Sequence, residues 1–402
     1  EKKKFSNQCY NLERDIRIIV DGQQNNGFAF NLMKAQLLLA KLEDEQHELE
    51  SNAEEEFEPT IVELKTKTKE IPFNIASRKQ IADRLMDRGW EPSKLTDKGN
   101  VIVNEDVLSK INMPEAQMFS RYFLLQKRTG LLKAWIKECG EDMRVRGRVL
   151  TLKTITGRMA HHSPNMAQVP AIYSPYGQEY RELWTVSNPN THQLVGTDAS
   201  GLELRCLAHY MNNADFTNEV LTGDVHTANQ RAAGLSNRDQ AKTFIYAFLY
   251  GAGPAKIGKI VGGGPGKGQK LISKFLSNMP ALRILRSNIQ EAAQQGSIKG
   301  LDGRRLMIRS EHAALNTLLQ GAGAIVCKQW LVEIDKRVRK SGLDAKLVAS
   351  VHDEYQFEVA KPDINRFTKI TKEAMYQTQK VFSFKCDLDS DYKVGNNWAE
   401  TH

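Results

Sequence analysis

Two separate acidic clusters in this sequence could bind divalent metal ions. Asp198 closes an apolar run, Gln193–Asp198, that predicts a β-strand, and Asp353-Glu354 sits in a turn between two strand-like runs over 346–359. Carboxylates at strand ends can hold cations that prefer oxygen ligands, although isolated acids in turns are usually only solvated. Together the clusters could supply a metal pair that activates a hydroxyl and stabilises the leaving oxygen of an in-line displacement.

Four residues of one predicted helix could bind a nucleotide. Arg238, Lys242, Tyr246 and Tyr250 recur every four residues and therefore form one slowly winding stripe. The two cations could neutralise phosphate charge, with the two aromatics near a sugar and base. The alternative is a solvent-facing basic stripe with two half-buried tyrosines, which is the commoner arrangement for an arbitrary helix.

The helices and strands that must position these residues are expected to form an α+β protein. Residues 1–140 are expected to be mostly helical, with helix starts at Asn31 and Ser77 and a third helix from Pro114 to about Cys139. A polar link carrying Lys65, Lys67 and Lys69 joins the first two of these helices. It could bind a polyanion, and a solvated loop without a ligand is the alternative, which the local sequence favours at least equally.

From about residue 145, short strands alternate with helices. A helix is expected over Leu202–Met211, a mainly helical stretch over 224–300, a hairpin over Gly300–Ser310 and one long helix over 312–340. The glycine-rich stretch Gly262–Gly268 departs from P-loop spacing and is predicted to be a flexible loop.

Composition narrows the class of protein. The 402 residues carry a net charge of +8, which suits a polyanionic partner without requiring one. The five cysteines include no CxxC pair, so we expect reduced thiols and neither zinc nor disulfides. The absence of an apolar run of 18 residues predicts a soluble cytoplasmic protein without a membrane partner. Because the chain opens Glu1-Lys2-Lys3-Lys4 without Met, we expect a fragment or processed product.

The three clusters, in this order, resemble motifs A, B and C of the family A, DNA polymerase I-like, DNA polymerases. Thr197–Arg205 is similar to motif A, Arg238–Gly251 to motif B and His352-Asp353-Glu354 to motif C. The sequences of these motifs are most similar to those of the members from T-seven-type bacteriophages. That resemblance implies a location in the host cytoplasm. The resemblance covers roughly residues 10–402, more weakly over the first 140.

This resemblance implies a right-hand fold with a palm of antiparallel sheet and helices, helical fingers and a helical thumb. The implied boundaries are the thumb and preceding segment at 1–140, palm with motif A at 141–223, fingers with motif B at 224–300, and palm with motif C at 301–402. It also implies template-directed DNA synthesis with two Mg²⁺ ions, for which Mn²⁺ could substitute.

The resemblance assigns roles residue by residue. Asp198, the Ala199 carbonyl and Asp353 would bind the metals, Glu354 would sit beside them, and Lys242 would act in catalysis. Nucleotide contacts would come from Arg238, Lys242, Tyr246, His226 and Glu203, with Glu203 excluding a ribose hydroxyl. The DNA contacts implied are Arg158, Gln168, Tyr250, Asn316, Gln320 and His352, several of them in the minor groove, where acceptors are common to every base pair.

The implied partners are primer-template DNA and dNTPs, with an exonuclease chain, a helicase or a processivity factor as further candidates. We find no exonuclease domain in these residues, so proofreading is absent, lost with an N-terminal segment or supplied by another chain. The segment from Glu58 to Asn74 is short where thioredoxin-using relatives carry an insertion, so thioredoxin is not expected as a partner. A single-subunit RNA polymerase and a catalytically inactive DNA-binding protein of the same fold are the alternatives.

Overall fold

The computed structural model describes residues 5–64 and 67–402, which form helices and short, mainly antiparallel strands. The helices are α1 (Asn7–Asn26), α2 (Leu32–Glu56), α3 (Arg78–Asp87), α4 (Glu105–Leu108), α5 (Pro114–Lys137), α6 (Gly177–Glu182), α7 (Leu202–Met211), α8 (Ala214–Thr222), α9 (Val225–Ala233), α10 (Arg238–Leu249), α11 (Pro254–Ile260), α12 (Pro265–Asn278), α13 (Pro280–Ala293), α14 (Ala314–Ser341) and α15 (Ile364–Val381). The strands are β1 (Phe28–Phe30), β2 (Thr60–Leu64), β3 (Lys67–Ile71), β4 (Arg144–Val145), β5 (Arg148–Leu150), β6 (Ala160–His162), β7 (Trp184–Thr185), β8 (His192–Ala199), β9 (Ser297–Lys299), β10 (Arg305–Met307), β11 (Ala345–Val351), β12 (Glu354–Ala360) and β13 (Ser390–Gly395). Single 3-10 turns cover Met166–Gln168, Glu311–Ala313 and Lys361–Asp363.

The chain divides into two compact units. One consists of residues 30–145, and the other combines the residues up to Ala29 with residues 146–402. The segment 1–140 predicted as the thumb therefore contains parts of both units, because α1 packs with the larger one.

The unit of residues 30–145 is built on the antiparallel pair α2 and α5. Tyr122 of α5 donates a 2.9 Å hydrogen bond to Glu50 of α2, and the Lys133 ammonium lies 2.7 Å from Glu43. Both predicted caps are confirmed: the side chains of Asn31 and Ser77 accept from the third backbone N–H that follows each. A buried Phe57, Phe73 and Phe119 cluster fills the interior beneath α3.

The polar link between the first two predicted helices differs from the prediction. Its two sides pair as antiparallel strands β2 and β3, with Thr60 opposite Ile71 and Leu64 opposite Lys67. Lys65 and Thr66 lie outside the described residues. Alternating Thr and Lys is also a half-exposed strand pattern, so hydrogen bonding between the two sides decided the outcome.

The larger unit is organised around a four-stranded antiparallel sheet in the order β11-β12-β8-β13. The predicted strand, the helix Leu202–Met211 and the hairpin over 346–359 are confirmed. Helix α14 packs behind the sheet, where Tyr355 donates a 2.8 Å hydrogen bond to the Cys327 carbonyl. The Trp330 indole of α14 donates a 2.8 Å hydrogen bond to the Thr371 carbonyl of α15. Buried hydrogen bonds therefore connect the two helices and the sheet.

A buried ion cluster joins α1, α14 and the hairpin β9–β10. We use this name for Glu13, Asp302, Arg304 and Lys328. Lys328 and Arg304 each contact the Glu13 carboxylate at 2.7 Å, and Arg304 also pairs with Asp302 at 2.6 Å. Burial lowers the pKa of Lys328, while Glu13 opposes that effect. Removing one partner of such a cluster would leave a buried charge unpaired and out of contact with water.

The hairpin predicted over Gly300–Ser310 is confirmed as the pair β9–β10, although β9 lies before the predicted start at Gly300. The long helix predicted over 312–340 is confirmed as α14, preceded by a 3-10 turn.

The stretch 224–300 is mainly helical as predicted, with strand β9 near its end, and its helices pack around a buried Phe244, Phe248 and Phe275 cluster. The prediction of a flexible loop over Gly262–Gly268 is wrong for its second half, because α12 starts at Pro265. A Cβ atom at Gly268 would lie 2.0 Å from the Pro254 carbonyl oxygen, so the missing side chain permits close contact between α11 and α12.

The five cysteines are free thiols in this structure. Among the described residues, the helices are too short or too polar to cross a lipid bilayer.

Candidate active site

Asp198 reaches the site because of how β8 ends. Leu194 to Thr197 are buried, whereas Asp198 is exposed at the end of the sheet. The chain then turns into α7 through Gly201, whose φ of +57° suits glycine. The strand and helix thereby present the Asp198 carboxylate at the end of a rigid element.

The second acidic cluster meets the first through strand pairing. Glu354 lies directly opposite Asp198 in the β12–β8 register, and the Ala199 amide donates a 3.1 Å hydrogen bond to the Asp353 carbonyl. His352, with a φ of +58°, forms the tight turn that places Asp353 at the sheet end. The structure therefore brings together the two acids that the sequence predicted to meet.

Negative charge accumulates at this sheet end. Asp391 of β13 lies opposite Asp198 on the other side of β8. Loss of surrounding water, followed by repulsion from Asp353, Glu354 and Asp391, raises the pKa of Asp198 to about 7 even though part of the residue is exposed. A cation at this position would relieve the repulsion.

The oxygen donors fit a hard divalent cation. Asp198 and Asp353 offer carboxylates and Ala199 a carbonyl, which are ligands that Mg²⁺ accepts. Within residues 5–64 and 67–402, three or more His, Cys, Asp or Glu side chains are nowhere grouped to hold an ion. Mg²⁺ usually keeps several waters and also binds substrate oxygens, so it needs few protein ligands.

Two cavities open beside the acids. The acid–tyrosine cavity, about 420 Å³, contains Asp198 and Asp353 together with Glu203, Tyr246 and Tyr250. The larger cavity, about 740 Å³, lies against Asp198, His352 and Asp353 and extends toward Tyr173 and Lys393. Space for two ligands thus adjoins one pair of carboxylates.

Glu203, in the first turn of α7, is held from two sides. Tyr250 donates a 2.7 Å hydrogen bond to its carboxylate, and the Arg158 guanidinium lies 3.5 Å away. Burial and the Glu203 carboxylate raise the pKa of Tyr250 to about 12, so this tyrosine remains a donor at neutral pH. Tyr250 follows the last residue of α10 as its C-cap, so the predicted stripe leaves the regular helix at its final position.

The cationic half of the stripe lies in the first part of α10, which begins at Arg238. Arg238 binds Asp224 through two hydrogen bonds of 2.6 and 3.1 Å, and this arginine holds the pKa of Asp224 below its usual range. Burial, followed by the charges of Arg238 and Lys242, lowers the pKa of His226, whose ring centre lies 6.1 Å from that of Tyr246. Arg238 and Lys242 therefore carry positive charge beside the tyrosines, and the lowered pKa of His226 favours its neutral imidazole, which can still hydrogen-bond phosphate.

The other predicted DNA contacts are more dispersed. Asn316 and Gln320 are half-buried and lie one turn apart near the start of α14. Gln168 is exposed at the end of a 3-10 turn. His352 borders both cavities, and Arg158 borders the acid–tyrosine cavity.

Sequence reasoning missed several participants. Asp391 was not identified, and its only signal was the Asp389-Ser390-Asp391 alternation before the end of the chain. The pairing of Asp224 with Arg238 was also missed, because Asp224 by itself reads as the N-cap of α9. Two hydrogen-bond partners of Glu354, Trp398 and His402, lie 44 and 48 residues away in sequence and carried no signal.

Comparison with known proteins places the chain in a family. The sequence-family model for DNA polymerase family A matches residues 40–400 of this chain. The DNA-directed DNA polymerase of Enterobacteria phage T3 is 41% identical, over 84% of this chain and 54% of that protein, and the Escherichia phage T7 enzyme has the same identity and coverage. DNA polymerase I of Geobacillus stearothermophilus is 27% identical over 82% of this chain and 40% of its own.

The chain spans about half the length of the curated relatives it matches. A solved structure, the POL domain of Pol1 from M. smegmatis in complex with DNA primer-template and dNTP, superimposes with a TM-score of 0.85 at 19% identity. That alignment covers 96% of this chain and 70% of the solved one, which establishes the polymerase fold predicted from the sequence.

Proposed function

This chain belongs to the family A DNA polymerases, and from that premise we propose that it adds dNTPs to a primer 3′-hydroxyl under the direction of a DNA template. The observation that carries the proposal is the pairing of β8 with β12, which places Asp198 beside Asp353 at the mouth of a cavity containing Tyr246 and Tyr250. Phosphoryl transfer depends mainly on positioning and electrostatics, and this arrangement can supply both.

We assign the metal ligands to Asp198, Asp353 and the Ala199 carbonyl. Two Mg²⁺ ions, or Mn²⁺ as a substitute, would supply activation of the primer hydroxyl and neutralisation of the leaving pyrophosphate when bound. Glu354 adds a third negative charge beside Asp198 without having to be a ligand.

The incoming nucleotide would lie along α10. Arg238, Lys242 and His226 would bind its triphosphate, with Lys242 stabilising the charge that builds up as pyrophosphate leaves. Arg238 would then exchange its Asp224 partner for phosphate oxygens. Glu203, fixed by Tyr250, would stand against the 2′ position of the sugar and exclude a ribonucleotide.

The primer-template would be contacted from the surrounding elements. Tyr250 would release Glu203 and stack near the template base as the helix closes over a correct pair, an induced-fit step. The remaining contacts proposed are Arg158, Gln168, Asn316, Gln320 and His352. In this proposal residues 141–223 and 301–402 form the palm, 224–300 the fingers, and the segment up to 140 contains the thumb.

Accessory partners stay predictions. An exonuclease chain, a helicase or a processivity factor other than thioredoxin could each act with this protein.

The deciding experiment is primer extension by the protein and by Asp353→Asn, with and without Mg²⁺. We expect extension by the variant to fall about a thousandfold or more, equivalent to about 4 kcal/mol of transition-state stabilisation. Its affinity for primer-template should change little, because the carboxylate would act on metal and not on DNA. Asp215→Asn, at an exposed acid of α8, is the matched control.

Three outcomes would count against the proposal. Undiminished extension by Asp353→Asn would refute the metal assignment. A preference for rNTPs over dNTPs would favour a single-subunit RNA polymerase and contradict the role of Glu203. Tight DNA binding without Mg²⁺-dependent extension by the unaltered protein would identify an inactive DNA-binding protein.

A further inference from the structure

The carboxylate of Glu354 is held by three hydrogen bonds. Its Oε1 accepts from Gln356 Nε2 and from Trp398 Nε1, both at 2.6 Å, and its Oε2 lies 2.7 Å from His402 Nδ1. Only 8% of Glu354 is exposed. These contacts occupy most of the positions at which the carboxylate could bind a metal ion, so its charge is fixed in place instead of being free to coordinate.

Thr401 contacts both polar atoms of the Gln356 amide. Its hydroxyl donates a 2.8 Å hydrogen bond to Gln356 Oε1, so the Nε2 group of that amide is left facing Glu354. A reversed amide would place its oxygen against two groups that can only accept, the Glu354 carboxylate and the Thr401 carbonyl, which lies 3.4 Å from Nε2. Thr401 therefore acts on Glu354 through Gln356.

Trp398 is placed independently of its bond to Glu354. It is buried, its backbone amide donates a 2.9 Å hydrogen bond to the Trp184 carbonyl, and its ring packs against Phe28 and under the Arg181 guanidinium. The indole N–H is thus presented to Glu354 by a rigid aromatic cluster.

The sheet itself makes room for this segment. A Cβ atom at Gly196 would lie 2.2 Å from the Thr401 carbonyl oxygen and 2.5 Å from Gln356 Nε2. Gly196 is two residues before Asp198, so the segment 397–402 packs directly on the strand that carries the proposed metal ligand.

We propose that Gln356, Trp398 and Thr401 are positioning residues that fix the Glu354 anion beside Asp198 and Asp353 and thereby strengthen divalent-cation binding. An indole and an amide carry no net charge, so these two donors hold the carboxylate without neutralising its field, whereas His402 offsets part of that field when it is protonated. The buried Arg181 lies across the Trp398 ring and offsets part of that field. This inference rests on the proposed polymerase site, because the concentrated negative charge serves there to bind divalent cations.

The test compares Thr401→Val with Thr401→Ser, and adds Trp398→Phe. Valine keeps the volume but loses the hydroxyl, serine keeps the hydroxyl, and phenylalanine keeps an aromatic ring but loses the N–H. Mn²⁺ binding to the DNA-free protein is measured by electron paramagnetic resonance of the free ion. The Mg²⁺ concentration for half-maximal primer extension is measured in parallel, at saturating DNA and dNTP.

We expect Thr401→Val and Trp398→Phe to weaken Mn²⁺ binding about tenfold, as is typical when residues behind metal ligands are removed. The Mg²⁺ requirement should rise by a similar factor, and Thr401→Ser should stay within about twofold of the unaltered protein. Melting in EDTA identifies any variant that fails to fold. If Trp398→Phe does fail, the valine and serine pair decides the question.

Unchanged Mn²⁺ affinity in folded Thr401→Val would overturn the inference. Equal losses in the valine and serine variants would also overturn it, because packing and not the hydroxyl would then be responsible. If the unaltered protein binds Mn²⁺ but extends no primer, the proposed function fails while the Mn²⁺ measurements still judge the role of Thr401.

Discussion

Asp198→Asn should stabilise the metal-free protein, although it removes a proposed catalytic group. Asp198 faces Asp353, Glu354 and Asp391 at the end of the sheet, and its pKa is raised to about 7 from an ordinary value of 3.8. An asparagine has nearly the same shape and carries no charge, so it removes the repulsion with little change in packing.

The magnitude follows from the pKa difference. A rise from 3.8 to about 7 corresponds, at pH 8, to about 4 kcal/mol of destabilisation by the ionised carboxylate. Asp198 has an exposed surface, so solvent screening reduces this value, and we expect the variant to gain about 1–2 kcal/mol. For a unit of this size the melting temperature should rise by about 2–6 °C.

The effect has a defined pH dependence. Below about pH 4 the carboxyl is protonated in both the folded and unfolded chains, so variant and unaltered protein should differ little. Between about pH 4 and 7 the folded protein retains a proton that the unfolded chain has released, so the stability of the unaltered protein falls relative to the variant. Above pH 7 the difference should be constant.

The assay is scanning calorimetry in EDTA from pH 4 to 8, repeated with Mg²⁺. The ion should stabilise the unaltered protein more than the variant, because it binds the folded state through this carboxylate. Glu373→Gln, at an exposed acid of α15, is the control and should change stability by less than about 0.5 kcal/mol. A variant that melts at or below the temperature of the unaltered protein in EDTA at pH 8 would refute the electrostatic argument.

Three further outcomes are expected. Glu13→Gln should destabilise the larger unit by about 3 kcal/mol in denaturant unfolding, because it leaves cations of the buried ion cluster without their partner. Asp15→Asn, at a partly exposed acid of α1 that pairs with its neighbour Arg14, should have little effect. Gly268→Ala should lower the melting temperature, because its Cβ would meet the Pro254 carbonyl at 2.0 Å; an unchanged value would show that α11 and α12 can separate freely. If the Tyr246 hydroxyl replaces the missing 3′-hydroxyl of a dideoxynucleotide, Tyr246→Phe should discriminate against such terminators far more strongly in primer extension, and equal discrimination would contradict that role.

The sequence by itself determined the local structure and the identity of the main chemical groups. Helix starts at Asn31 and Ser77, the strand ending at Asp198 and the turn at His352 depend on capping, periodicity and side-chain size within a few residues. The same local patterns carried the resemblance to three family motifs, which fixed the expected fold.

Only the tertiary structure decided which groups meet. The β8–β12 register sets Glu354 opposite Asp198, and β13 adds Asp391, because pairing of distant strands is chosen by burial across the whole sheet and not by either segment alone. The same holds for the bonds from Trp398 and Thr401 around Glu354, which begin about 45 residues away in the chain. A residue's type predicts the bonds it can make, but its partners exist only after folding has brought distant segments into contact.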